Sequence, residues 1–174
     1  LLLYNVMVKE EPQRDYQWCY YGSQKLLINR VSTPKFFSPD TAPPGSAGYC
    51  CEVTCMKDDS RWDHAERLSD WVIDDLVKVG MIRHRSNVID VRVERLAESY
   101  PIYQRDYPGQ LDFARQQLSG FKNFHLAGRT GLFWYNNMDH SMENAMQLTK
   151  RLLRDSGAAE AEEAAIAAGL PTGA

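Results

Sequence analysis

The stretch "LAGRTGLFWYNNMDHSMENAM", Leu126–Met146, decides how the second half of the chain is read. It opens as a short apolar strand and turns on Gly128 and Gly131. It then passes through Phe133, Trp134 and Tyr135 to Asn136 and Asn137, where a helical pattern begins. A strand that runs through a glycine turn into a helix N-terminus seats an anion or a polarised carbonyl, because free N–H groups and the helix dipole point at the ligand. Gly128 and Gly131 let backbone approach closely. Arg129 adds a fixed positive charge suited to phosphate, and the aromatic residues supply walls for a planar ring. Asn136, Asn137 and Asp139 are candidates to cap the helix. The bland alternative is a strand, a turn and a well-capped helix with no ligand.

Working outward, the helix after the asparagines carries Met142, Ala145, Leu148 and Leu152 at helical spacing, which predicts a buried stripe. Lys150, Arg151 and Arg154 suit its C-terminal end. Before the quoted stretch, "NFHLAG" predicts a strand. Pro108 opens a helix with Leu111, Ala114 and Leu118, closed by Gly120. Ile89, Val91 and Val93 alternate with Asp90, Arg92 and Glu94, a strand with one wet face. A single helix is expected from Ser60, as its cap, through Ala65, Leu68, Val72, Leu76 and Val79 to a stop at Gly80. Tyr49–Cys55 alternates as a strand. Residues 33–48, "TPKFFSPDTAPPGSAG", hold four prolines and two glycines and are expected to be loop. Leu26–Val31, Tyr16–Tyr21 and Leu1–Val8 read as strands. The fold class is α/β, with α+β character in the first part: a mostly antiparallel sheet with one helical insert, then the closing strand and helix of a nucleotide-binding layer.

The 174 residues suffice for a real core, and the net charge of −3 offers nothing to nucleic acid or an anionic membrane. No apolar run reaches the roughly 18–20 residues that span a bilayer, and no signal-peptide pattern is present. These features suit a cytoplasmic protein. Cys19, Cys50, Cys51 and Cys55 lack a second ligand pair at metal spacing and are expected to be small buried hydrophobes. His125 reads as a core histidine, His64 and His84 as solvent-facing, and His140 as a polar neighbour of the cap. Trp62, Trp71, Met142 and Met146 fit packing faces. The chain starts at Leu1 within a strand pattern, so it is expected to be a piece of something longer; the Ala/Glu-rich tail from residue 156 is expected to carry no site.

"GRTGLFWYNNMDHSM" resembles the C-terminal flavin motif of UDP-galactopyranose mutases and their relatives in the amine-oxidase and protoporphyrinogen-oxidase-like FAD superfamily. "NRVSTPKFFSP", from Asn29, and "YPIY", from Tyr100, resemble two further pieces of that pattern in the same order. The resemblance implies FAD as cofactor, with Gly128, Arg129 and Gly131 along its pyrophosphate and ribityl chain. It places Asn137, Met138 and Asp139 at the helix mouth near the flavin N1–C2=O edge. It implies Arg30, Tyr100 and Tyr135 as substrate-binding residues lining one cavity, with the chemistry on the flavin and no protein catalytic residue named. Asn137 stands where the mutases usually carry an acid. The Gly-x-Gly-x-x-Gly turn that holds the ADP half of FAD is absent, so the missing N-terminal βαβ unit is expected on another part of the same polypeptide.

These features divide the chain into a substrate-binding sheet domain at 1–104, the C-terminal part of an FAD-binding domain at 105–155, and a tail at 156–174. The expected function is that of the C-terminal part of an FAD-dependent oxidoreductase, moving a hydride between a small-molecule substrate and flavin N5. One alternative is a mutase-like flavoenzyme acting on a sugar nucleotide. Another is a non-catalytic binding or assembly module built on a flavin-domain scaffold.

Overall fold

The computed structural model describes residues 1–157. The chain divides into two compact units, Leu1–Ser99 and a second that begins at Tyr100.

In the first unit the strands are β1 (Leu2–Val8), β2 (Trp18–Tyr20), β3 (Arg30–Ser32), β4 (Ala47–Val53) and β5 (Val88–Arg95). They pair antiparallel in the order β2-β3-β4-β1-β5. The alternation that predicts β1 and β4 is the alternation seen: Leu2, Tyr4, Val6 and Val8 face the core beside Tyr49, Cys51 and Val53. Cys51 is buried, while Cys50 points to the other face and stays half-buried with Cys19 and Cys55. β4 begins at Ala47, inside the stretch expected to be loop. β3 keeps only the end of the expected Leu26–Val31 strand, because Leu26–Ile28 are held differently.

That difference comes from one carboxylate. Asp75, on the helix α2 (Ser69–Lys78), accepts from the Leu27 N–H at 2.5 Å and the Ile28 N–H at 3.2 Å. These amides therefore bond a side chain instead of a ladder. Val72 and Leu76 of α2 are fully buried against the sheet, each contributing about 1.5–3 kcal/mol. The sheet reaches back with two phenols: Tyr4 donates to Ala65 O at 2.8 Å and Tyr49 to Met81 O at 2.7 Å. Burial pushes both hydroxyls up to about 12.

The single helix expected from Ser60 is three pieces. The short helix α1 (Ser60–Asp63) is capped by Asp59, which accepts from the Arg61 N–H at 2.9 Å. His64 at φ −115°, ψ 31° breaks the helix, a 3₁₀ turn follows over Ala65–Leu68, and α2 resumes at Ser69. The expected stop does appear: Gly80 takes φ +72°, and Met81 N–H bonds Leu76 O. Trp71, expected to pack, is exposed. β5 turns Asp90, Arg92 and Glu94 to water as foreseen, with Val91 and Val93 half-buried, but Ile89, expected on the dry side, is exposed.

The second unit holds the helices α3 (Tyr107–Leu118), α4 (Gly128–Gly131) and α5 (Met138–Asp155). Pro108 stands in the first turn of α3 as expected. The strand expected from "NFHLAG" is not formed: Phe124–Ala127 runs without regular structure, and His125 lies exposed rather than in a core. Strand composition produces a strand only where a neighbour supplies the ladder. The buried stripe of α5 is also displaced. Met142 and Met146 are about two-thirds exposed, while Ser141, Asn144 and Leu148 are the half-buried face. No residue of α3, α4 or α5 is fully buried. Among the described residues no helix is long and apolar enough to cross a membrane. The expected tail lies outside the described residues apart from Ser156 and Gly157.

Candidate functional site

The second unit gathers its chemistry between Tyr100 and Ser141. Ala127 is extended and Gly128 turns at φ +71°, a conformation that costs a side-chain-bearing residue about 1–2 kcal/mol. A Cβ built on Gly128 would meet nothing within 4 Å, so this backbone stands open to a ligand. One turn of helix, α4, then ends at Phe133, which is itself left-handed at φ +50°. A ring stack holds that phenylalanine in place: it meets Tyr103 edge-on at 5.7 Å and Tyr107 at 6.1 Å.

Arg129 is the hub of the turn. Its Nη1 donates to Asn136 O at 2.6 Å. Its guanidinium lies over the Tyr135 ring at 4.2 Å and the Tyr100 ring at 5.3 Å, and those two rings stack at 5.9 Å. Three residues singled out by sequence are thereby brought together. The guanidinium packs against both rings of this stacked pair, and Tyr100 and Tyr135 are 41% and 55% exposed as residues. At Gly131 a Cβ would sit 3.8 Å from the Leu126 backbone, ordinary contact, so the close approach expected there does not require glycine.

Asn137 is the N-cap of α5 by backbone geometry, with no side-chain cap hydrogen bond. The expectation of an asparagine side chain closing this helix is therefore corrected. The first bond of α5 runs from Ser141 N–H to Asn137 O at 3.2 Å. The N–H groups of Met138, Asp139 and His140 have no intrahelical acceptor. The helix is 18 residues long, so its dipole is fully developed at this uncapped mouth. Asn136, its neighbour, is buried: Oδ1 accepts from Ser141 Oγ at 3.2 Å, while Nδ2 has no partner. His140 lies 3.2 Å from Asp139 and edge-on to Trp134, a polar neighbour of the cap as expected.

Two supporting residues escaped the sequence, and a third was given another role. Tyr103 Oη accepts from the Tyr135 N–H at 2.6 Å and lies 3.5 Å from Phe133 O. Its place three residues after Tyr100 in "YPIY" was the available signal. Asn144 Oδ1 accepts from the Gly128 N–H at 3.4 Å, one turn into the helix. Asn136 was read as a cap and is instead a buried brace.

Arg30 belongs to the first unit. It forms an ion pair with Glu52, donates to Tyr20 Oη at 3.2 Å and lies over the Tyr20 ring at 5.6 Å. Glu52 is the Cα partner of Arg30 across β3 and β4. Nothing in one-dimensional spacing announces that pair.

The uncapped helix mouth and the Arg129 guanidinium are donors, with Asp139 in the first turn of the helix, while the Gly128 N–H already meets Asn144 Oδ1. Such a set suits phosphate and carbonyl oxygens. Among solved structures the chain is similar to one described as "Crystal structure of reduced UDP-Galactopyranose mutase", with a TM-score of 0.69 and 19% identity. The match covers 80% of this chain and 30% of that one. At this identity the likeness is one of fold. No protein-family model matches the chain, and no curated protein does.

Proposed function

We propose that this chain is the C-terminal part of an FAD-dependent oxidoreductase, in which the second unit supports one flank of the cofactor. The observation that carries the proposal is the uncapped N-terminus of α5 beside the open Gly128 backbone. The helix mouth is a donor surface and the space at the Gly128 Cβ position allows close approach, and FAD presents anionic phosphates and a carbonyl-edged ring. Gly128, Arg129 and Gly131 would hold the phosphate and ribityl side; Asn137, Met138 and Asp139 would offer N–H groups to the N1–C2=O edge. Bound there, FAD would supply hydride acceptance at N5.

The chain's own residues do the rest. The helix mouth would stabilise negative charge placed before it without moving, because its dipoles are fixed before any ligand arrives. Arg129 packs against Tyr100 and Tyr135, which we assign to the substrate; Arg30 is a separate substrate assignment within the first unit. Phe133, Tyr103 and Tyr107 hold the turn's left-handed bend. The apolar side chains that α3 and α5 present to solvent favour packing against further polypeptide of the same flavoenzyme, which would carry the glycine-rich ADP site.

The test is a visible absorbance spectrum of the intact protein with and without dithionite. A flavin spectrum that bleaches on reduction is expected. A colourless protein, after reconstitution with FAD, would remove the proposal in favour of a binding module. A mutase-like reaction on a sugar nucleotide is the second reading, favoured by the fold likeness. It predicts sugar-nucleotide turnover by the reduced protein with no net consumption of reductant.

A further inference from the structure

β5 closes one side of the sheet, and among the described residues no strand lies beyond it. It is 8 residues long, against 3 for β2 at the opposite edge. An unpaired edge of that length is a template for another strand. We propose that β5 pairs antiparallel with β5 of a second copy, across a two-fold axis at Val93, and joins the two five-stranded sheets into one.

Backbone direction sets the register. The Leu96 N–H bonds Leu1 O at 2.8 Å, and the Leu1 terminal amine donates to Leu96 O at 2.9 Å. Leu96 therefore points both its backbone groups at the β1 side. Bonded and non-bonded residues alternate along an antiparallel pair, so Glu94, Arg92 and Asp90 point inward as well. Val91, Val93 and Arg95 point outward, to the open edge. The register shift opposite Met7 and Val8 ends this alternation at Ile89. An axis at Val93 sets Val93 against its own copy and Val91 against Arg95 in both directions. Every outward residue then meets an outward residue. An axis at Val91 would set Val93 against Ile89, where the alternation has ended, and Arg95 against Asn87, outside the strand.

Charge agrees with that register. On the face away from the core β5 carries Asp90, Arg92 and Glu94, all exposed. Edge charges ordinarily hold a second strand off. Here the signs alternate, and the axis at Val93 sets Arg92 opposite Glu94 twice, in the close non-bonded positions. Both groups are weakly engaged within one copy. Arg92 meets only Asp90, at 3.3 Å on its own strand, and Glu94 takes one neutral donor, Asn5, at 3.1 Å. One existing bond must yield: Asp90 Oδ1 accepts from the Val91 N–H at 2.9 Å, and that N–H passes to the Arg95 carbonyl of the second copy.

The test is sedimentation velocity on this chain over about a hundredfold range of concentration. A weak, reversible dimer is expected, because a seam along one strand buries less than a standard interface. Arg92→Glu places two like-charged pairs in the seam and should weaken dimerisation about tenfold, as should Glu94→Arg. Arg92→Glu/Glu94→Arg restores opposite charges at both positions and should recover the dimer, which damage to the fold could not do. Hydrogen exchange at the Val93 and Arg95 amides should slow as the dimer fills. A monomer at every concentration would overturn the proposal, as would a dimer indifferent to the single reversals, or a double variant no better than the singles. Val93 and Arg95 amides already protected in the monomer would overturn it too, by giving the edge to another segment of the chain.

Discussion

Replacing Arg129 with alanine removes three interactions at once, and their sizes follow from the geometry. The bond to Asn136 O at 2.6 Å is charge-assisted and contributes about 1.5–3 kcal/mol. The contacts over Tyr135 at 4.2 Å and Tyr100 at 5.3 Å, both partly in water, add about 0.5–1 kcal/mol each. Neighbouring terms do not add fully, so the lower end of the sum, about 2.5–3 kcal/mol, is expected as the loss of local stability. The amides of Leu132, Phe133 and Trp134 report it directly, because they bond Gly128, Thr130 and Arg129 carbonyls inside the same turn. Their hydrogen exchange should accelerate about a hundredfold, at about 1.4 kcal/mol per decade. Arg129→Lys should recover only part of this, since an ammonium can reach Asn136 O but cannot spread against two rings as a guanidinium does. In the flavin-loaded protein, Arg129→Ala should weaken FAD binding by about 1.5–3 kcal/mol. Wild-type exchange rates together with unchanged flavin retention on dialysis would refute the placement of Arg129 as the hub.

Other expectations concern the scaffold and the helix mouth. Asp75→Ala leaves the Leu27 and Ile28 amides without their carboxylate and should cost about 3 kcal/mol or more in urea unfolding; a loss below 1 kcal/mol would mean water replaces it freely. Tyr4 and Tyr49 hold their protons up to about 12 when folded, against 10.0 in the unfolded chain. Their stabilisation is therefore complete below pH 10 and lost as pH rises through the 10–12 window. Urea midpoints at pH 8 and 11 should diverge, and the gap should narrow in Tyr4→Phe/Tyr49→Phe. Asn137→Asp should leave flavin retention intact, because that side chain makes no cap bond now and an acid suits a helix N-terminus. If the same change creates affinity for a sugar nucleotide by calorimetry, the mutase-like reading gains.

What the sequence made legible was periodic or punctuated. β1 and β4 follow their alternation, Pro108 opens α3, and Gly80 closes α2. Glycine pairs and clustered aromatics marked the turn at Gly128. The failures have a common cause, a partner distant in sequence. The Phe124–Ala127 segment has no ladder neighbour, so its composition expresses nothing. Asp75 takes the amides that would have lengthened β3, and His64 divides a helix whose apolar spacing continues across the break. On α5 the spacing predicted a buried stripe of Met142, Ala145, Leu148 and Leu152, of which Leu148 alone is half-buried. It could not tell which side of the helix would meet protein, because Asn144 and Ser141 turn inward to bond Gly128 and Asn136. The pairing of Arg30 with Glu52 is a register property, invisible until two strands are aligned.

Met138, Met142 and Met146 lie one turn apart along the outer side of α5, each mostly open to water. Thioethers so placed are the first groups a mild peroxide dose converts to sulfoxides. The ridge is thus a built-in footprinting label. Mass shifts at these three sulfurs, compared with and without added FAD, would map any sheltering of the helix, with no label added and no residue changed.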